Sequence, residues 1–160
     1  MTTAVCMTAF ERALRFVGVA ELAGNRNHPL VQWWFSLCGY DPETPDEVPW
    51  CSVFVNGIAW DLRLPRSKSA AARSWLGVGR PILLGEARPE HDVVVLQRGD
   101  GEQPGPDVLK APGHVGFYAG TERTDATTQR VMVLGGNQSN AVNVASFSPR
   151  RVLGVRRLLG

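Results

Sequence analysis

The first half of the chain repeats apolar residues every three or four positions, which is the spacing of one face of an α-helix. Three segments show this spacing. Their apolar residues are Phe10, Ala13, Leu14 and Val17 in the first, Leu30, Val31, Trp34, Phe35 and Cys38 in the second, and Cys51, Phe54, Val55, Ile58 and Leu62 in the third. Residues 69–76, with the sequence SAAARSWL, predict a fourth, short helix.

Local signals mark where these helices begin and end. Thr8 with Glu11 three residues later forms a capping-box pattern. Pro29 suits the first position of the second helix, and Gly39 suits its end. Residues 41–49 contain three prolines and four acidic residues, so they are predicted to form a loop. The third helix is expected to begin directly after this loop.

The second half contains short apolar runs rich in β-branched residues, separated by glycine, proline and polar residues. These runs are residues 93–96, 114–118, 131–134, 142–147 and 152–157. Residues 98–112 are rich in glycine and proline, so they are predicted to form a surface loop. Helices followed by strands favour an α+β domain with an antiparallel sheet. We predict a single domain over residues 1–160, with its core at about 8–158.

Composition narrows the class of protein. The chain has 160 residues, 44% of them hydrophobic and 20% charged, which is typical of a globular and not of a disordered protein. The net charge of +2 is too weak to favour nucleic-acid binding. No apolar stretch reaches the ~18 residues that a membrane span needs, and the first residues lack the pattern of a secretory signal. We therefore expect a protein made in the cytoplasm without a stable membrane association.

Cys51 is the sharpest candidate for chemistry. The spacings of the three cysteines, Cys6, Cys38 and Cys51, match neither a zinc site nor a disulfide framework. Cys51 lies at or near the first position of the third predicted helix, where unpaired N–H groups and the helix dipole favour a thiolate and can hold an oxyanion. The alternative is that Cys51, like Cys38, is a core residue on an apolar helix face.

His114 is the candidate base, because a cysteine nucleophile needs a base that the fold places beside it. It stands between glycines, in PGHVGFY, at the start of a predicted strand. The alternative is a surface histidine at a strand edge. His28 and His91 are weaker candidates, because the first lies in a turn before a proline and the second lies between two acidic residues.

An imidazole base needs a third group that orients it through its other ring nitrogen. Asn137 fits this role because it follows an apolar run and two glycines, in LGGNQSN. Gln138 and Asn140 are alternatives in the same turn. Asn137 could equally be a plain turn residue, which is what asparagine after two glycines usually is.

The order of motifs resembles the NlpC/P60 and CHAP superfamily of papain-like peptidoglycan hydrolases. The motifs are PWCSVFVN, SAAARSWL, GHVGFY, LGGNQSNAVNV and RVLGVRRL, and the likeness runs from about Phe10 to Leu158. It is greatest to small single-domain members that include phage endolysins. The resemblance implies a papain-like fold in which a nucleophilic cysteine at a helix N-terminus packs on an antiparallel sheet. It also implies that Cys51 is the nucleophile and His114 the general base, and Asn137 falls where the family places a third residue that varies between His, Asn, Gln and Glu.

The resemblance also implies a substrate. It points to an amide bond of peptidoglycan, either the bond that joins sugar to peptide or one within the stem peptide, cleaved by a monomer without a cofactor. We therefore expect residues 1–160 to be a catalytic domain with no separate wall-binding domain. A protein of this kind acts on the cell wall after release from the cytoplasm. Three alternatives stay open: an acyltransferase on the same scaffold, an antibacterial effector with the same chemistry, and a non-catalytic wall-binding or virion-structural module.

Further residues are expected near the cleft. Predicted substrate-binding residues are Trp50, Ser52, Trp75, Gly113 and Gln138. Trp75 has core packing as its alternative role. Some CHAP members bind calcium in a region comparable to the acidic loop before Cys51, which contains Asp41, Glu43, Asp46 and Glu47. The alternation of a calcium loop is missing there, so we predict a solvated acidic loop and no metal site.

Overall fold

Three helices come first in the computed structural model, which describes residues 6–159. They are α1 (Ala9–Leu14), α2 (Pro29–Leu37) and α3 (Cys51–Asp61). The predicted capping box is confirmed: Thr8 accepts the Glu11 N–H at 3.1 Å, and the Glu11 carboxylate accepts the Thr8 N–H at 2.8 Å. The helix ends earlier than the apolar spacing predicted.

The predicted short helix is instead a 3₁₀ helix at Ala72–Gly77. Two more 3₁₀ turns lie at Leu84–Glu86 and Pro149–Arg151. Pro29 occupies the first position of α2, as predicted, and Gly39 has a φ of 80° directly after the residue that caps this helix. Such a left-handed conformation suits glycine at a helix end.

Six antiparallel strands form one sheet in the order β1-β6-β2-β3-β4-β5. They are β1 (Arg80–Ile82), β2 (Asp92–Gln97), β3 (Gly113–Arg123), β4 (Gln129–Gln138), β5 (Ala141–Phe147) and β6 (Val152–Arg157). The predicted α+β class with an antiparallel sheet is confirmed. The first strand was not predicted, because it has only three residues, is largely exposed and carries no apolar run.

The core lies mainly between α3 and one face of the sheet. Every residue of α3 from Cys51 to Ala59 is buried. The sheet residues that pack in the same core are Val93, Val95, Val115, Phe117 and Leu134. A second cluster contains the alternating residues Val94, Leu96, Tyr118, Val131, Val133 and Val155. Both clusters draw on β2, so this strand is buried on both faces, which explains its continuous apolar run.

The sheet opens at the end that carries His114. Pairing between β3 and β4 runs from Phe117 opposite Leu134 to the far end, so the first residues of β3 have no partner on β4. The register of β4 against β5 also shifts between Gly135 and Gln138. This irregularity leaves room for side chains between the two strands.

No helix among residues 6–159 is both long enough and apolar enough to cross a lipid bilayer.

Candidate active site

Cys51 is the first residue of α3, as predicted. The preceding residue, Trp50, caps the helix without a side-chain hydrogen bond. The Cys51 side chain is 4% exposed. Burial raises the pKa of its thiol, while the Val115 amide, the positive charge of Arg98 and the amides of Ser52 and Cys51 itself act in the opposite direction. Burial is the largest influence, so the thiol is neutral in this structure, but the donors that would stabilise a developing negative charge surround it.

His114 is the second residue of β3 and lies beside Gln138. Its ring Nε2 is 2.9 Å from the Gln138 Oε1. Burial lowers the pKa of His114 to about 4, although the hydrogen bond with Gln138 acts to raise it. The imidazole is therefore neutral at neutral pH, which is the state that a general base requires.

The orientation of the Gln138 amide determines which nitrogen of His114 carries the proton. The Gln138 Nε2 donates to the Val133 carbonyl at 3.1 Å and to two oxygens of Asn143, its carbonyl at 2.7 Å and its Oδ1 at 3.0 Å. Asn143 in turn donates its Nδ2 to the Gln138 carbonyl at 2.7 Å. These contacts leave Oε1 facing the imidazole, so the ring Nε2 is the donor. In a neutral ring, Nδ1 then holds the lone pair that accepts a proton.

Asn137 is not the partner of the ring. Its backbone has a φ of 56° in the irregular segment between Gly135 and Gln138, and its side chain takes no part in the hydrogen bonds that hold His114 among the described residues. The position predicted for Asn137 beside the ring is occupied by Gln138, one of the two predicted alternatives. The left-handed turn shifts the register by one residue, and LGGNQSN alone does not reveal that shift.

The sulfur of Cys51 and the imidazole of His114 lie at the same end of β3 but on opposite faces of the sheet. Val115 packs with Cys51 in the core beneath α3, whereas His114 pairs with Leu96 of the second cluster and lies beside Phe147. The sulfur faces the amide of Val115, the residue that follows His114 in the strand. No hydrogen bond joins the sulfur to the ring within residues 6–159. The strand therefore separates the two side chains, and they are not in contact in this structure.

Two neighbouring cavities flank this end of the strand. The Cys51 cavity, of about 300 Å³, is lined by Cys51, Arg98, Lys110, Pro112 and Gly113, with Pro49 and residues 70–72. The His114 cavity, of about 280 Å³, is lined by His114, Arg98, Asn137, Gln138 and Arg151, with Ser139, Ala145 and Phe147. Arg98 lines both cavities.

Three of the predicted substrate-binding residues lie in the core. Trp50, Ser52 and Trp75 are each 0% exposed. The Ser52 hydroxyl donates to the Ser69 carbonyl at 2.6 Å and accepts from the Trp75 Nε1 at 2.9 Å. The Trp50 Nε1 donates to the Glu21 carboxylate at 3.0 Å. Their expected contact with substrate is therefore replaced by a supporting role behind Cys51, whereas Gly113 does line the Cys51 cavity.

Sequence reasoning missed Arg73, which holds the loop beside Cys51. Its guanidinium is 0% exposed and donates to four carbonyl groups, those of Pro104, Gly105, Val108 and Pro112, at 2.7 to 3.1 Å. Its Nη2 is buried without a partner. A buried arginine rarely lacks a carboxylate partner, and only the folded loop reveals why the charge lies there.

The acidic loop before Cys51 is solvated except at one residue. Asp41, Glu43 and Glu47 are exposed, as predicted. Asp46 is 0% exposed, which corrects the prediction for this residue. Its Oδ2 accepts the N–H groups of Leu22 at 3.2 Å and His28 at 2.9 Å, so Asp46 ties the loop to the segment between α1 and α2. Among the residues described, no group of three or more His, Cys, Asp or Glu side chains could hold a metal ion.

Comparison of the chain with protein-family models gave no match, and comparison with curated proteins gave none either.

Proposed function

We propose that this chain is a cysteine hydrolase that cleaves an amide bond of peptidoglycan, with Cys51 as the nucleophile and His114 as the base. One observation carries the proposal. The sulfur at the start of α3 faces the amide of Val115, the strand residue next to a half-buried, neutral imidazole, and Gln138 holds Nε2 of that ring. A nucleophile, a base and a group that orients the base are the components of this chemistry.

The neutral forms of both groups suggest the order of events. The reaction requires the His114 ring to reach the Cys51 side of the strand, since the two side chains lie on opposite faces of the sheet in this structure. As the sulfur approaches the amide carbonyl, its proton then passes to His114 Nδ1, and the carbon–sulfur bond forms. The Cys51 N–H and neighbouring amides at the start of α3 hold the oxyanion. His114 then gives its proton to the leaving nitrogen as the carbon–nitrogen bond breaks, which leaves a thioester. Water attacks the thioester and gives a proton to Nδ1, and a carbon–oxygen bond forms. The carbon–sulfur bond then breaks, the sulfur takes the proton from Nδ1, and the carboxylic acid product leaves and ionises in solvent.

In this mechanism the thiol loses its proton during its attack on the carbonyl carbon. It does not start from a stable thiolate–imidazolium pair, because burial raises the pKa of Cys51 and lowers that of His114. Both shifts oppose the ion pair at rest. The amides and Arg98 at the sulfur provide the stabilisation that the charged state gains when a substrate carbonyl arrives.

The choice of peptidoglycan rests on the resemblance of the motif order to NlpC/P60 and CHAP enzymes. The bond is either the amide between sugar and peptide or one within the stem peptide. Digestion of purified cell walls followed by mass spectrometry of the released fragments identifies the bond. The wild type is expected to release fragments, and Cys51→Ala and His114→Ala are expected to release none above background. Cys6→Ala is the matched control and should act like the wild type, since Cys6 is exposed and distant in the chain from the site. Wall cleavage by folded Cys51→Ala would overturn the proposal.

A second candidate function is a non-catalytic wall-binding or virion-structural module. The burial of the sulfur and its lack of a hydrogen bond to His114 favour it. Alkylation by iodoacetamide separates the two functions when it is measured in a Cys6→Ser, Cys38→Ser background. If His114 activates the thiol, His114→Ala slows modification of Cys51 by tenfold or more. Equal rates with and without His114 would support the non-catalytic module.

A further inference from the structure

Arg98 stands at the boundary of the two cavities without a partner. It directly follows the last residue of β2, and its side chain is exposed. It lines both the Cys51 cavity and the His114 cavity. Among the described residues its guanidinium forms neither a salt bridge nor a hydrogen bond. A group placed in this way is available to a ligand that occupies either cavity.

Other cationic side chains line the two cavities beside Arg98. Lys110 lines the Cys51 cavity, and Arg151 lines the His114 cavity. The Arg151 guanidinium is held in place, because it donates to the Gln97 carbonyl at 3.2 and 3.3 Å and lies 5.0 Å from the centre of the Phe147 ring. Neither cavity is lined by an aspartate or a glutamate of the described chain. Cationic side chains that face a concave surface without acidic neighbours attract anionic ligands.

We propose that Arg98 binds a carboxylate of the substrate adjacent to the scissile amide and makes the enzyme select substrates with a free carboxylate there over their carboxamide forms. The inference rests on the proposed function, whose reacting groups lie in the same two cavities. A planar guanidinium can donate hydrogen bonds to both oxygens of a carboxylate, whereas a neutral carboxamide has only one oxygen and no charge. Because Arg98 lines both cavities, it can make such a contact with a substrate in either of them.

Arg98 also acts on the reacting groups themselves, and the experiment must separate that effect. Its charge lowers the pKa of Cys51 and also that of His114. Removal of the charge therefore changes the reactivity of the thiol toward every substrate. Loss of a contact with a substrate carboxylate lowers the cleavage rate only of substrates that carry this carboxylate. A pair of peptides that differ only in this group distinguishes the two effects.

The test uses two synthetic peptides with the same scissile amide, one with a free carboxylate on the adjacent residue and one with a carboxamide. The wild type is expected to cleave the carboxylate peptide with a kcat/KM at least tenfold higher. In Arg98→Gln this ratio is expected to fall to within about twofold of one, whatever happens to the absolute rates. Arg98→Lys keeps the charge without the planar fork and is expected to show an intermediate ratio. Arg123→Gln is the matched control, because Arg123 is exposed at the opposite end of β3.

The outcomes separate this inference from the proposed function. If the wild type cleaves both peptides with the same kcat/KM, or if Arg98→Gln keeps the wild-type ratio, the inference is wrong and the hydrolase stands. If the wild type cleaves neither peptide nor the purified wall, the hydrolase is wrong. In that case, NMR titration of the wild type and of Arg98→Gln with the same two peptides tests the role of Arg98 alone. Tenfold weaker binding of the carboxylate peptide to Arg98→Gln than to the wild type would support the inference. Absent binding, or equal binding to both proteins, would overturn it.

Discussion

The Nε2 of His114 lies 2.9 Å from the Oε1 of Gln138, and this contact determines how the candidate base is used. Gln138 is 5% exposed and is itself held by Val133 and Asn143. The amide therefore cannot turn over without the loss of several hydrogen bonds. The imidazole keeps its proton on Nε2 and presents Nδ1 as the acceptor.

Replacement of Gln138 by Ala is expected to lower kcat by roughly ten- to a hundredfold with little change in KM, since the ring loses its fixed orientation. ¹⁵N NMR of the histidine ring provides a readout that a general loss of stability does not imitate. The wild type should show mainly the tautomer with its proton on Nε2, and Gln138→Ala should show a mixture of tautomers.

Asn137→Ala is the control for this prediction. Its side chain is absent from the hydrogen bonds around His114, so the tautomer and kcat should change by less than threefold. A larger effect of Asn137→Ala than of Gln138→Ala would restore the third catalytic role to Asn137.

His114 makes folding stability depend on pH. Its pKa is lowered from 6.5 to about 4 in the folded protein, so the unfolded chain binds more protons between these values. The stability from burying the neutral ring is complete above about pH 6.5 and is lost progressively as the pH falls to about 4. The shift corresponds to about 3 kcal/mol at most.

Urea unfolding at pH 7 and at pH 4.5 measures this loss. His114→Gln does not titrate in the range, so its stability should fall by less than that of the wild type between the two pH values. An equal fall in both proteins would show that the buried ring is not the group responsible. In the wild type, hydrolysis should also decline as the pH falls through about 4, because the protonated ring cannot act as a base.

Arg73 is expected to hold the loop at residues 104–112 against the body of the protein. Arg73→Met removes hydrogen bonds to four carbonyl groups, and we expect the free energy of unfolding to fall by about 2 to 4 kcal/mol. Because the loop loses its anchor, trypsin should cut after Lys110 faster than in the wild type under native conditions. Arg123→Met removes an exposed arginine and should leave both properties unchanged. Protection of Lys110 in folded Arg73→Met would contradict the anchoring role.

Gly57 allows α2 and α3 to lie close together. A Cβ at this position would be 2.3 Å from Cδ1 of Trp34. Gly57→Ala should therefore force the indole or the helix to move and destabilise the protein by roughly 1 to 3 kcal/mol, despite the better helix propensity of alanine. Gly77→Ala, whose Cβ meets no atom within 4 Å, is the comparison. Equal thermal midpoints of the two variants would refute the close packing.

Local features of the fold were predictable because their causes lie within a few residues. Thr8 and Glu11 close a capping box across one turn, and Pro29 begins a helix because its ring suits the first helical position. Val93 to Leu96 formed a strand as their β-branched run predicted. By contrast, β1 has no apolar signal, and it exists because β6 offers an edge for it to pair with.

The candidate site divides in the same way. Cys51 at a helix start and His114 at a strand start could be named from their neighbours. The contact of His114 with Gln138 instead of Asn137 could not be predicted, because it depends on a shift of register between β4 and β5. Trp50, Ser52 and Asp46 have polar groups that suggested exposure, and their burial is explained only by partners distant in the chain.

The sequence by itself determined the order of the three α-helices and of the five longer strands, the start of α3 at Cys51 and the combination of motifs that suggests a cysteine hydrolase. These follow from periodicity, capping and turn residues, which act over short distances. Only the tertiary structure decided which amide holds His114, that Arg73 anchors the loop and that Arg98 stands between the two cavities. Those relationships depend on strand register and on side chains brought together from separate segments, and no local pattern encodes such long-range distances.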